Sequence, residues 1–173
     1  PEDYIYFNTG GIGAVPTIVL NTLESRTIEL EKYPKPGHDH NNWIEVKKIC
    51  TGLLGKGCNI DELALISTAT EGINIIINGL PFKEGDEIIT STHEHPALHV
   101  PLINRWQRDG VKIRTFDPDL KSGLGNIERI KNLVNKNTKL IFLSHITCTT
   151  GQVIPIKEIG ELAKENNIWF AID

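Results

Sequence analysis

Methionine is absent from these 173 residues, and cysteine is nearly so. The three cysteines, Cys50, Cys58 and Cys148, are odd in number, widely spaced and free of any C-x-x-C pair. That pattern excludes a disulfide framework or a zinc ribbon and fits a reducing cytosol. No apolar run approaches the roughly 20 residues that a membrane helix needs. No charged n-region followed by an apolar h-region opens the chain, so nothing in it points to secretion. An excess of positive charge is missing too. Eighteen basic residues face twenty-two acidic ones, for a net charge of −4, and the two signs are interspersed. There is neither a basic stripe for nucleic acid nor a polybasic tail for a membrane. Internal repeats and low-complexity tracts are also lacking. The expectation is a cytoplasmic protein with a small-molecule ligand, no nucleic-acid partner and no membrane partner.

What is present suits a globular domain: 39% hydrophobic and 23% charged residues, enough for a real core. Pro34-Lys35-Pro36-Gly37 is a loop signal between helix candidates over 17–32 and 41–54. After residue 60 an alternation sets in. Short apolar runs at 63–66, 87–90, 111–116, 140–143 and 168–172 read as strands. Between them, 70–80, 96–108, 126–134 and 156–166 carry helical spacing. This order predicts an α/β fold with a mainly parallel sheet and helices on both faces. The expected division is an N-terminal segment with two helices over 1–60 and a sheet domain over 61–173.

Ligands of such sheets sit at the carboxyl ends of the strands, which selects four places. Ser67-Thr68-Ala69-Thr70-Glu71-Gly72 joins a strand to a helix, whose unpaired first amides and partial positive charge suit an anion. A plain cap by Thr68 or Thr70 explains the same residues. Thr92-His93-Glu94-His95-Pro96-Ala97, with His99 nearby, places three histidines in seven residues. Metal ligation, an imidazole stacked on a flat ring, and simple capping all remain open, with Pro96 expected at a helix start. Ser144-His145-Ile146-Thr147-Cys148-Thr149-Thr150-Gly151 is a hydroxyl-rich loop able to hydrogen-bond a polar ligand edge or merely to turn the chain. Asp173 follows an apolar strand and needs a cation or several donors. The glycines at 10, 11 and 13 do not make a dinucleotide fingerprint, because Pro16 stands where the third glycine belongs, and Tyr4 to Phe7 is only a possible strand.

Taken in order, these segments resemble the class V aminotransferase family of fold-type I pyridoxal 5'-phosphate (PLP) enzymes. That family includes cysteine desulfurases and isopenicillin N epimerase-like proteins. Tyr6-Phe7-Asn8-Thr9-Gly10-Gly11-Ile12-Gly13-Ala14-Val15-Pro16 is similar to the family's opening segment. Thr68-Ala69-Thr70-Glu71-Gly72-Ile73-Asn74 resembles its phosphate turn, and Glu94-His95-Pro96-Ala97 the motif whose histidine stacks on the pyridine ring. Residues 144–151 resemble the loop near the ring's 3-hydroxyl, and Phe170-Ala171-Ile172-Asp173 the strand that ends in the ring-nitrogen aspartate. The resemblance implies the large domain of an aspartate aminotransferase-like PLP-dependent transferase, present here in part. It implies cofactor contacts from Ala69, Thr70, His95, Thr147, Cys148 and Asp173, catalytic roles for His95 and Asp173, no metal, an amino-acid substrate and a homodimer.

Two departures qualify the resemblance. Desulfurases carry asparagine where this chain has Cys148, which leans toward the epimerase-like branch and weakens a cofactor contact at that position. The family's Schiff-base lysine lies well beyond the aspartate, so the chain is expected to be a fragment, inactive by itself. In the family sheet two later strands separate 63–66 from 168–172, and without them the former has no neighbour. The leading expectation is a PLP enzyme of epimerase, lyase or transaminase type, with cysteine desulfurase as the alternative. A non-catalytic PLP-fold fragment and a metal-dependent hydrolase using His93, His95 and His99 complete the set.

Overall fold

The computed structural model describes residues 5–34 and 40–173. It divides into two compact units, 1–64 and 65–173. Lys35, Pro36 and Gly37 of the loop signal, and Tyr4 of the possible first strand, lie outside the described residues, while 5–7 form no strand.

The first unit holds α1 (Thr17–Lys32), α2 (His40–Leu54) and a single 3-10 turn, Ile60–Glu62. α1 starts directly after Pro16 and buries none of its residues. The 3-10 turn opens with a capping box: Asp61 N donates to Asn59 Oδ1 at 3.2 Å, and Asn59 N to Glu62 Oε2 at 2.9 Å.

The second unit alternates helices and strands: α3 (Ala69–Gly79), β1 (Glu87–Ser91), α4 (Pro96–Asp109), β2 (Lys112–Phe116), α5 (Gly125–Lys131), β3 (Thr138–Leu143), α6 (Ile156–Glu165) and β4 (Trp169–Ile172). The four strands form one parallel sheet in the order β2-β1-β3-β4. Successive strand residues point to opposite faces, and the sequence loads both. Ile88, Leu140 and Phe142 pack with Ile73 and Ile77 of α3 and Leu98 and Leu102 of α4. Their neighbours Ile89, Ile141 and Leu143 pack with Ile130 of α5 and with Ile159 and Ala163 of α6. Burial on both faces is why β3 reads as a continuous apolar run over Leu140–Leu143 rather than as alternation.

The structure corrects one strand and one boundary. Residues 63–66 form no strand among the described residues, so the sheet has four strands rather than the expected five. The apolar run is genuine, yet Ile66 stays 43% exposed, because a strand exists only where a neighbour takes its hydrogen bonds. α5 stops at Lys131 instead of 134 because Asn135 starts a turn. Its N–H donates to Thr138 Oγ1 at 3.0 Å, and its Oδ1 accepts from Asn137 N at 2.9 Å.

α4 closes on Gly110 in the left-handed region (φ 67°, ψ 18°), its N–H donating to Trp106 O. A Cβ there would lie 2.8 Å from Glu84 Cγ. Gly110→Ala is expected to cost about 1 kcal/mol and to lower the melting temperature by a few degrees in calorimetry; an unchanged melt would contradict the strain. One turn earlier, Arg105 is buried. It donates to Asp109 Oδ2 at 2.5 Å and to Leu80 O at 3.2 Å, and lies 5.2 Å from the Phe82 ring centroid. The hydrogen bonds from Arg108, with the charge of Arg105, hold the Asp109 carboxyl below the usual carboxylate range.

Candidate functional site

In a parallel sheet all carboxyl ends share one edge. β1, β3 and β4 therefore deliver 92–95, 144–151 and Asp173 to the same side. α3 feeds β1 at the opposite edge through the short connection 80–86, so the α3 N-terminus also returns to the carboxyl side. Three of the four places chosen by the strand-end rule thus lie on one edge, while the fourth, 67–72, follows no strand and starts α3.

At the α3 N-terminus Thr68 is the N-cap, with Oγ1 accepting from Glu71 N at 3.1 Å. The Glu71 side chain reaches back to Ser67 N at 2.7 Å, so the cap is closed from both sides. Capping thus explains Thr68 but leaves Ala69 and Thr70. These are the first two helical residues, both exposed, and their amides have no acceptor among the described residues. Two unpaired amides and a free hydroxyl at a helix start form a donor set for an anion. No hydrogen bond joins 67–72 to the other three segments among the described residues.

The loop after β1 is built around a buried carboxylate. Glu94 is 5% exposed. Its Oε1 accepts from Ser91 Oγ at 2.6 Å, and its Oε2 accepts from Ser144 N at 2.8 Å and Ser144 Oγ at 2.6 Å. Ser91 Oγ in turn accepts from His93 N at 3.1 Å. Beside Glu94, His95 is the N-cap of α4 and Pro96 its first residue. His95 Nδ1 accepts from Ala97 N at 3.1 Å, which assigns the ring proton to Nε2 in the neutral form and fixes the ring's orientation. The exposed imidazole is therefore both a cap and a held plane. His93 sits in the turn with its Nδ1 buried and unpaired, and His99 lies on α4. No group of three or more His, Cys, Asp or Glu converges to hold a metal among the described residues.

The loop after β3 is tied internally. Thr147 is 1% exposed, with its hydroxyl 2.6 Å from that of Thr150 and accepting from Gln152 N at 3.2 Å. Gly151 turns the chain at φ 69°. Gln152 also bonds the Asp119 carbonyl and accepts from the fully buried Asn126 at 3.3 Å, which joins this loop to the start of α5. Cys148 is exposed at the tip with a free thiol. The structure thus turns Thr147 inward and Cys148 outward.

Beyond β4, Asp173 N donates to Leu143 O at 2.9 Å, and His145 N donates to Asp173 O at 2.9 Å. The ladder of β3 and β4 therefore runs on to Asp173, and its exposed carboxylate has no partner among the described residues. Reading from residue types missed Glu94, Ser91 and Ser144. An acidic residue beside a surface loop gives no sign of burial; the one hint was a serine at the end of each neighbouring strand.

This donor set fits a phosphorylated, cationic flat ring. Unpaired amides at Ala69 and Thr70 suit a phosphate, a fixed imidazole plane suits a ring face, and an unpartnered carboxylate suits a protonated nitrogen.

Comparison with known proteins points the same way. A family model described as aminotransferase class-V matches residues 56–173. A probable cysteine desulfurase of Methanothermobacter thermautotrophicus is 31% identical over 113 residues, covering 65% of this chain and 28% of the relative. The cysteine desulfurase IscS of Clostridium botulinum is 36% identical over 117 residues, covering 65% of this chain and 29% of the relative. Among solved structures, the cystine C-S lyase C-DES, described in complex with its product cysteine persulfide, superposes with a TM-score of 0.82. It shares 24% identity and covers 97% of this chain and 46% of its own. A mutant of C-DES is described with glycine covalently linked to its PLP cofactor. The chain spans less than half the length of these proteins.

Proposed function

The chain belongs to the class V aminotransferase family, a PLP-dependent family, and from that premise we propose that the full-length protein is a PLP enzyme acting on a sulfur-containing amino acid. The observation that carries the reading is the place of Asp173 at the sheet's carboxyl edge, set by the same β3 end that hydrogen-bonds the His95 loop. The sulfur substrate is supported by the relatives, named cysteine desulfurases, and by a structural neighbour named a cystine lyase. Residues 61–173 then form the first part of the cofactor-binding domain, and 1–60 a separate N-terminal segment. By family resemblance the proposed protein is a homodimer, and its few, widely spaced cysteines support a cytoplasmic place for it.

In this reading the amides of Ala69 and Thr70, with the Thr70 hydroxyl, bind the phosphate. His95 covers one ring face and keeps water from it. Asp173 holds a proton at the ring nitrogen. Cys148 presents its thiol in the loop beside the ring's 3-hydroxyl, and Thr147 holds that loop in shape through Thr150 and Gln152. When bound, PLP supplies an electron sink for the pair left as a bond to the substrate α-carbon breaks.

A second reading, epimerase-like chemistry, is favoured by Cys148 standing where the desulfurase motif has asparagine. Incubating the full-length protein with L-cysteine or L-cystine separates the two. Release of sulfide or persulfide is the expected result, and racemisation without sulfur release favours the second. Purified protein is expected to be yellow and to lose its colour on borohydride reduction. A colourless protein that takes up no PLP overturns both readings.

A further inference from the structure

We infer that Glu94 is a positioning residue, resting on the PLP reading above: its buried carboxylate sets the distance between the imidazole at the ring face and the carboxylate at the ring nitrogen. The two groups that must grip one rigid ring come from different strands, β1 and β4, which are not neighbours in the sheet. Only β3 lies between them. A continuous path crosses it: His95 is bonded in sequence to Glu94, Glu94 Oε2 accepts both donors of Ser144, and His145, next in sequence, donates its N–H to Asp173 O. Every non-covalent step in that path is 2.9 Å or shorter.

The carboxylate is held without a cation. Its acceptor sites take one amide and two hydroxyls, and no Lys, Arg or His forms an ion pair with it among the described residues. Taking a carboxyl group out of water onto neutral donors alone is a costly arrangement. A carboxamide would close the same loop without a buried charge, so stability alone does not account for the carboxylate. The gain lies in geometry: short, charge-assisted bonds to Ser91 on one oxygen and Ser144 on the other define where the backbone of residues 94 and 95 sits. Ser91 ties both sides of the turn, since its hydroxyl donates to Glu94 while accepting from His93 N, and this leaves the loop little freedom. His95 Nδ1 is committed to Ala97 N, so its ring cannot re-aim to compensate for a shifted backbone.

The test compares the full-length protein with Glu94→Ala, Glu94→Gln and Ser144→Ala, by PLP titration, visible circular dichroism of bound PLP, and steady-state kinetics. Displacing a positioned group by about 1 Å costs up to about 10²-fold in rate. Glu94→Ala is therefore expected to lose roughly that much kcat with a smaller change in KM, and to weaken and reshape the visible dichroic band. Glu94→Gln keeps the shape and some of the bonds, and is expected to recover part of the band and part of kcat. Ser144→Ala is expected to fall between them. A merely structural role would lower the melting temperature without moving the dichroic band of the folded, PLP-loaded variants. If Glu94→Ala does not fold, Glu94→Gln decides: a native melt with an altered band supports the inference, and a native melt with native band and kcat overturns it. Failure of the unsubstituted protein to bind PLP is a separate result that removes the PLP reading and this inference with it.

Discussion

Asp173→Asn in the full-length protein is expected to lower kcat by about 10²- to 10³-fold, with PLP affinity changing far less. The substitution keeps size and shape and removes the charge. A carboxylate holds a proton at the ring nitrogen, whereas a carboxamide has no charge with which to do so. The partner's positive charge matters little while the ring simply rests in its site, where Ala69, Thr70 and the phosphate account for much of the binding. It matters most when negative charge arrives from the substrate α-carbon, and interactions that strengthen only at that point raise turnover rather than affinity. The backbone anchors of residue 173, to Leu143 O and from His145 N, do not involve the side chain and survive the change. PLP titration beside steady-state kinetics checks both halves of the expectation. Equal losses in affinity and turnover would make Asp173 a binding residue, and unchanged turnover would remove it from the site.

The repeating part of the fold was legible because it rests on local signals. α1 follows a proline and matches the expected 17–32; α4 begins at the expected Pro96. β3 follows from an apolar run, Leu140–Leu143, that both faces of the sheet bury. The location of the candidate site was legible for a related reason. The carboxyl edge of a parallel sheet is where loops converge, so His95 and Asp173, which follow β1 and β4, come to that edge, whereas Thr70 starts α3 with no strand before it.

What could not be read depends on partners far away in sequence. Residues 63–66 look like a strand, but β-structure is a property of pairs, and among the described residues no neighbour takes their hydrogen bonds. Glu94 looks like a solvated loop acid, and its burial is set by Ser144, fifty residues away. Thr147 looks like a ligand hydroxyl, and its bonds to Thr150 and Gln152 were not visible in the sequence. Side chains that short-range chemistry makes plausible as ligand contacts are also the ones able to close a loop, and only tertiary placement decides between those uses.

Phe142→Ala is expected to destabilise the protein by about 3–5 kcal/mol, the largest single effect on stability. Phe142 lies near the carboxyl end of β3, with β1 on one side and β4 on the other, and is 1% exposed. Its ring packs in the cluster of Ile73, Ile77, Ile88, Leu98 and Leu102. Those residues belong to two helices and a neighbouring strand whose spacing is fixed by the sheet, so they cannot close over the space left behind, and the lost contacts add to the lost burial. Val100→Ala is the control, since Val100 is 56% exposed on α4 and an exposed side chain contributes within about 0.5 kcal/mol. Urea denaturation distinguishes them: Phe142→Ala moves the midpoint sharply at nearly constant slope, and Val100→Ala leaves it close to its original value. The larger change is also expected to reach the site, because Phe142 precedes Leu143 and Ser144. Their carbonyl and amide hold Asp173 and Glu94 respectively, so the core beneath β3 and the geometry above it rest on the same strand. A variant that lost 3 kcal/mol or so yet kept its visible PLP dichroism unchanged would show that the edge is held by its own hydrogen bonds rather than by the packing under it.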